Sequence, residues 1–87
     1  MFRDFTSVAA LIKKYRARKN ISQTELSRKL DYKNGQFVSN VERAKCSMPL
    51  KMATRTCSIL EIPQDEMIAA YLEDYAGTVL NFMGKKK

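Results

Sequence analysis

Residues 31–45 read "DYKNGQFVSNVERAK". The stretch opens as a turn, because Asn34 and Gly35 tolerate turn conformations. It closes as a helix whose apolar residues are Phe37, Val38 and Val41. Between them stand Gln36, Ser39, Asn40 and Arg43. A short helix with one apolar face and a second face of amides, hydroxyl and guanidinium raises the question of what that second face is for.

The residues before the stretch supply a helix for it to pack on. "SQTE", Ser22 to Glu25, has the spacing of a capping box: the Ser22 hydroxyl can accept from the Glu25 N–H, and the carboxylate can reach back. A second helix therefore starts at Gln23, with Leu26 and Leu30 spaced i, i+4. Ahead of it, Val8, Leu11, Ile12 and Tyr15 fall on one face of a first helix from about Ser7 to Lys19. Thr6 or Ser7 can cap that helix and Asn20 can end it. Lys13, Lys14, Arg18 and Lys19 then read as its solvated outer face.

The third helix is expected from about Gly35 to Arg43, with Phe37, Val38 and Val41 turned inward. Pro49 suits the first turn of a fourth helix that reaches about Leu60, with Ala53, Cys57 and Leu60 inward. Pro63 suits the first turn of a fifth, where Asp65 and Glu66 complement the positive helix end. Gly77 is expected to break or bend that helix. The fold class is thus all-α, a five-helix bundle. Residues 1–76 form one domain, and residues 77–87 a C-terminal extension ending in a disordered basic "KKK" at 85–87.

Composition narrows the function. The 87 residues suit one domain with a small core. No apolar run approaches the roughly 20 residues that cross a membrane. The charged start "MFRDFTSV" lacks a signal-peptide core. A cytoplasmic location follows as the expectation. Cys46 and Cys57 are too far apart for a CxxC pair, and there is no histidine. Free thiols are expected, with no metal site and no cofactor. The usual general base is missing too, so an enzyme is not expected. Charge is uneven: residues 1–60 hold 13 Lys and Arg against four Asp and Glu, a balance of +9, and residues 61–87 hold three against five, a balance of −2. A basic front suggests a polyanion on that side.

Two short helices joined by a tight turn inside a basic bundle make a helix-turn-helix. The second helix of such a pair buries one face on the first and leaves the other free for the DNA major groove, about 12 Å wide. Glutamine and asparagine there suit bidentate contacts to adenine, and arginine suits guanine or phosphate.

Three segments, "LIKKYRARKNISQTELSRKL", "VSNVERAK" and "PLKMATRTCSILEIP", resemble the Cro/cI-type helix-turn-helix, also called the xenobiotic-response-element family. The resemblance spans Val8 to Met67, with Arg16, Ser22, Gln23, Leu26, Val38, Ser39 and Glu42 as its matching set. It departs from the family pattern in a turn one residue longer. Asp31 and Ala44 stand where glycine is usual, and Ser27 where alanine is usual.

What the resemblance implies is a repressor-type bundle that binds double-stranded DNA sequence-specifically. Gln36, Ser39 and Asn40 would read bases. Gln23, Lys33, Asn34, Arg43 and Lys45 would hold phosphates, with Gln23 also bracing Gln36 and Asn34 capping the third helix. Arg16 and Glu42 would form the internal ion pair that ties the first helix to the third. The apolar set Tyr71, Leu72, Tyr75, Leu80 and Phe82, together with Val79 and Met83, exceeds what so small a core requires. It is expected to join a homodimer that spans two half-sites of a palindromic operator. The alternative is a protein-binding module of the same fold, an antitoxin that meets its toxin or an adaptor. No small-molecule ligand is evident.

Overall fold

The computed structural model describes residues 5–84; the basic tail expected at 85–87 lies outside the described residues. The described residues fold into five helices with no strand: α1 Thr6–Lys19, α2 Gln23–Lys29, α3 Gln36–Glu42, α4 Leu50–Leu60 and α5 Gln64–Gly84. The fold class is the one expected from the helical spacing. No helix among the described residues is long and apolar enough to cross a membrane.

Each boundary has a local cause. Asn20 ends α1 in the left-handed conformation, at φ 59°, and its N–H returns to the Ala17 carbonyl. The Ser22 hydroxyl accepts from the Glu25 N–H at 3.0 Å and starts α2 at Gln23. Gly35, not the expected Asn34, takes the cap position of α3, with no side-chain bond of its own. Asn34 stands one residue earlier and accepts the Gln36 N–H on its side-chain oxygen at 2.9 Å, a tight turn that leads into the helix. Pro49 and Pro63 stand one residue ahead of α4 and α5. Their carbonyls accept the N–H groups of Ala53 and Met67, so each opens its helix from just outside the first turn.

The core forms where all five helices meet. Val8 and Ile12 of α1, Leu26 of α2, Leu30 just after it, and Val38 and Val41 of α3 are buried together. Ala53, Cys57 and Leu60 of α4 and Met67 and Ala70 of α5 close the cluster from the other side. Cys57 is thus a packing residue, and burial pushes its thiol pKa up. Cys46 and Cys57 are both free thiols.

Three further expectations are corrected. Neither Thr6 nor Ser7 caps α1: the cap position is Phe5, with no side-chain bond of its own. The carboxylate of Asp74, 67 residues away in α5, accepts the Ser7 N–H at 2.7 Å and the Val8 N–H at 3.0 Å. Asp74 is only 5% exposed, and the positive end of α1 stabilises its charge there. Second, Gly77 neither breaks nor ends α5, which runs unbroken for 21 residues. One glycine costs a helix about 1 kcal/mol, and the packing of Met67, Ala70 and Asp74 outweighs that. Third, Phe37 is not fully buried. It lies half-exposed and stacks on Tyr32, ring centroids 4.1 Å apart and planes 9° from parallel. The stack covers the side of the long turn.

Candidate nucleic-acid interface

The connection from α2 to α3 sets how α3 is presented. Leu30 closes α2, and Asp31 follows at φ 71°, in the left-handed region. Its carboxylate accepts from the Arg55 guanidinium at 2.9 Å, which fastens the turn to α4. The Tyr32 N–H returns to the Ser27 carbonyl at 2.9 Å. Gly35 then passes so close to α2 that a Cβ there would lie 2.8 Å from the Thr24 hydroxyl and 3.2 Å from its Cα. Only glycine lets the two helix starts approach in this way. Ser27 is fully buried at the crossing, and its hydroxyl accepts from the Val38 N–H at 3.4 Å. A further left-handed residue, Ala44 at φ 59°, turns the chain out of α3. Asp31 and Ala44 therefore both hold conformations that glycine adopts most easily.

Beneath α3 lies a polar knot. The Arg16 guanidinium makes two bonds to the Glu42 carboxylate, Nε to Oε2 at 2.6 Å and a terminal nitrogen to Oε1 at 3.0 Å. Its other terminal nitrogen donates to the Ile21 carbonyl at 2.7 Å. The Gln23 amide donates to Glu42 Oε1 at 3.0 Å. The Glu42 side chain is 2% exposed and that of Arg16 17%, so the pair sits largely out of water. The hydrogen bond to Glu42 raises the Arg16 pKa further, although burial alone would lower it. The ion pair joins α1 to α3 as expected. Gln23 does not brace Gln36; its amide is turned inward to Glu42 instead.

The outer face of α3 carries Gln36, Asn40 and Arg43, spaced i, i+4 and i+7 on one stripe. Gln36 donates to the Asn40 side-chain oxygen at 2.9 Å. Arg43 donates to the same oxygen at 3.3 Å. Gln36 and Arg43 are exposed, and Ser39 and Asn40 are half-buried beside them. Lys33 and Lys45 are exposed at the two ends of α3. The amides are thus held by one another, with the Gln36 oxygen and the Asn40 N–H groups left outside those contacts. Such a stripe can donate and accept at a flat polar edge, and its cations can meet an anion on either side.

Sequence reading missed Ser27 and Asp74 as structural polar groups. A lone Asp inside "YLEDYA" was the available signal for the second: a carboxylate on the inward stripe of an amphipathic helix needs a partner. The side chains offered for a dimer separate into two sets. Leu72, Tyr75, Leu80 and Phe82 are exposed. Tyr71 is half-buried, and its hydroxyl donates to the Met48 carbonyl, so its ring serves its own core.

Compared with protein-family models, curated proteins and solved structures, the chain matches none.

Proposed function

We propose that this chain is a sequence-specific double-stranded DNA-binding regulator of transcription, a repressor of Cro/cI type that acts in the cytoplasm as a homodimer on a palindromic operator. The observation that carries the reading is the α3 stripe. Gln36, Asn40 and Arg43 face outward as a linked set, on a helix whose other face is anchored by Val38, Val41 and the Arg16–Glu42 pair.

In this reading α2 and α3 are the helix-turn-helix and α3 enters the major groove. Gln36, Ser39 and Asn40 read base edges, and Gln36 gives up its bond to Asn40 for a bidentate contact to adenine. Exchanging one hydrogen bond for another keeps the net cost low while fixing the side chain before contact. Lys33, Arg43 and Lys45 hold phosphates and supply salt-dependent affinity that carries no sequence information. Asn34 and Gln23 stand at helix starts, where backbone N–H groups favour a phosphate. The +9 balance of residues 1–60 speeds the search along any duplex.

The test is selection of bound sequences from a random duplex pool at about 150 mM salt, which suppresses non-specific attraction. An enriched palindrome with half-sites roughly 34 Å apart is the expected result. Binding that stays weak, salt-sensitive and indifferent to sequence would remove the regulator reading.

A further inference from the structure

The polarity of the α3 stripe is decided at its last member. A guanidinium has donors and no acceptor. Arg43 reaches the Asn40 amide at 3.3 Å, so the Asn40 atom that faces it is the oxygen. Turned over, Asn40 would set its amino group against a cation. Gln36 meets the same oxygen through its own amino group, at 2.9 Å. Gln36 therefore has one orientation too, because its oxygen in that place would face another oxygen. Two amides that could each lie either way round are thus fixed in one direction by a single charge.

The backbone keeps Arg43 and Asn40 together. The Arg43 N–H returns to the Ser39 carbonyl at 3.0 Å, and the Lys45 N–H returns to the Asn40 carbonyl at 2.9 Å. Asn40 is half-buried between the exposed Gln36 and Arg43, so its amide has less room to swing than its neighbours. What the stripe shows outward then has an order. Gln36 leaves its oxygen, an acceptor, and Asn40 leaves both hydrogens of its amino group. A carbonyl oxygen has two lone pairs, and that of Asn40 engages both within α3.

This order matches particular base edges. Adenine asks an amide for one acceptor, at its N6 amine, and one donor, at N7. Gln36 supplies both once it leaves Asn40. Arg43 alone then keeps the Asn40 oxygen turned inward. Over adenine, Asn40 would point an N–H at the N6 amine, donor against donor. Guanine offers two acceptors, O6 and N7, to its two hydrogens, and thymine only O4 beside a methyl group. Guanine is therefore the match for Asn40. From Gln36 to Asn40, α3 rises about 6 Å, and base pairs stand about 3.4 Å apart. The two bases lie within about two steps of each other.

We infer that Arg43 is a positioning residue for base reading as well as a phosphate contact: it holds the Asn40 amide with its donors outward, so that Asn40 reads guanine within about two base pairs of the adenine under Gln36. The inference rests on the proposed reading of DNA by α3. It goes beyond that reading in naming the base and the side chain that selects it.

The test is selection from a random duplex pool at about 150 mM salt, run with the unaltered chain, Asn40→Ala, Arg43→Met and Arg43→Lys. The position whose preference disappears in Asn40→Ala is the one that Asn40 reads. There the unaltered chain should favour guanine over adenine by about tenfold, the discrimination of one good amide contact. Arg43→Met should bring that ratio close to one and leave the adenine preference under Gln36 in place. Arg43→Lys, still a donor-only side chain, should keep guanine preferred. An Arg43 that only holds a phosphate would, as Met, weaken all sequences alike and leave the ratio unchanged, which overturns the inference. Adenine at the Asn40 position overturns it too, as does an Asn40→Ala chain that changes no position. A pool with no enriched sequence defeats base reading as a whole; an enriched operator with the wrong base under Asn40 defeats this inference alone. Circular dichroism of all three variants should match the unaltered chain, because neither side chain belongs to the core.

Discussion

The α2–α3 half and the outer face of α5 dispose of their side chains in opposite ways. In the first, polar groups are gathered and internally bonded: Arg16, Gln23 and Glu42 beneath α3, then Gln36, Asn40 and Arg43 above it. In the second, the large apolar side chains of Ile68, Leu72, Tyr75, Leu80 and Met83 stand exposed. The first pattern holds a polar surface in one shape before it meets anything. The second leaves apolar area whose removal from water can drive association. One small domain can hold both because each rests on the same core from a different side.

The severest break in the first region is Glu42→Ala. It leaves the Arg16 guanidinium poorly hydrated, and the Gln23 amide loses its acceptor. Removing one member of a buried pair costs about 3–5 kcal/mol. Urea unfolding should register that loss. Arg16→Met combined with Glu42→Leu should recover most of it, since an apolar replacement leaves no stranded charge. If the double variant is no better than the single one, the knot specifies packing that apolar side chains cannot copy.

Next in size is Gln36→Ala, with an expected loss of about 1–3 kcal/mol on the selected operator and a relaxed preference at one base pair. Lys33→Ala or Lys45→Ala should instead weaken all sequences alike and lower the salt slope by about 1 each. Fluorescence titration at several salt concentrations distinguishes the two behaviours. An unchanged preference in Gln36→Ala would place the start of base reading elsewhere on α3.

Tyr71 joins the inner side of α5 to the loop before α4, and it titrates unusually. Burial first, then the nearby Cys57 and Asp74, push its phenol up to about 12 from an ordinary 10. Folded Tyr71 holds its proton more tightly than unfolded Tyr71. Its contribution is therefore complete below pH 10 and is lost as pH rises from 10 towards 12. Tyr71→Phe gives up the hydrogen bond to Met48, about 1 kcal/mol. It should also remove this alkaline loss, so the two stability curves approach above pH 10 and cross before pH 12. Parallel curves would mean that the phenol reaches water more freely than its burial implies.

What the sequence made legible was local. The Ser22 cap of α2, the Asn20 stop and the inward pairs Val8 with Ile12, Leu26 with Leu30 and Val38 with Val41 are each written within a few residues. The α3 stripe was legible for the same reason: Gln36, Asn40 and Arg43 are one helical face. What stayed hidden depends on contacts between distant segments. Asp74 caps a helix 67 residues away, and Gln23 could have turned outward or inward until Glu42 was placed beside it. Gly77 misled because propensity was weighed without the packing that overrides it. Phe37 belonged to the turn, through Tyr32, as much as to the core.

Two residues that flank the α2–α3 unit in left-handed conformations set the smallest prediction. Asp31 and Ala44 occupy left-handed conformations at φ 71° and 59°. A side chain there crowds the following carbonyl at about 1 kcal/mol or more. Asp31 offsets this with its bond to Arg55. Alanine has no polar group with which to do so. Ala44→Gly should therefore stabilise the fold by about 0.5–1 kcal/mol, after the extra freedom of glycine in the unfolded chain is subtracted. Asp31→Gly should gain less, because it gives up the ion pair along with the strain. The gain at Ala44 should appear as a higher midpoint in urea with an unchanged slope. Since Ala44 leads out of α3, between Arg43 and Lys45, a gain in stability with no change in operator affinity would show that the polar stripe is held by the knot beneath it. A change in affinity as well would show that the exit from α3 also sets how the stripe is presented.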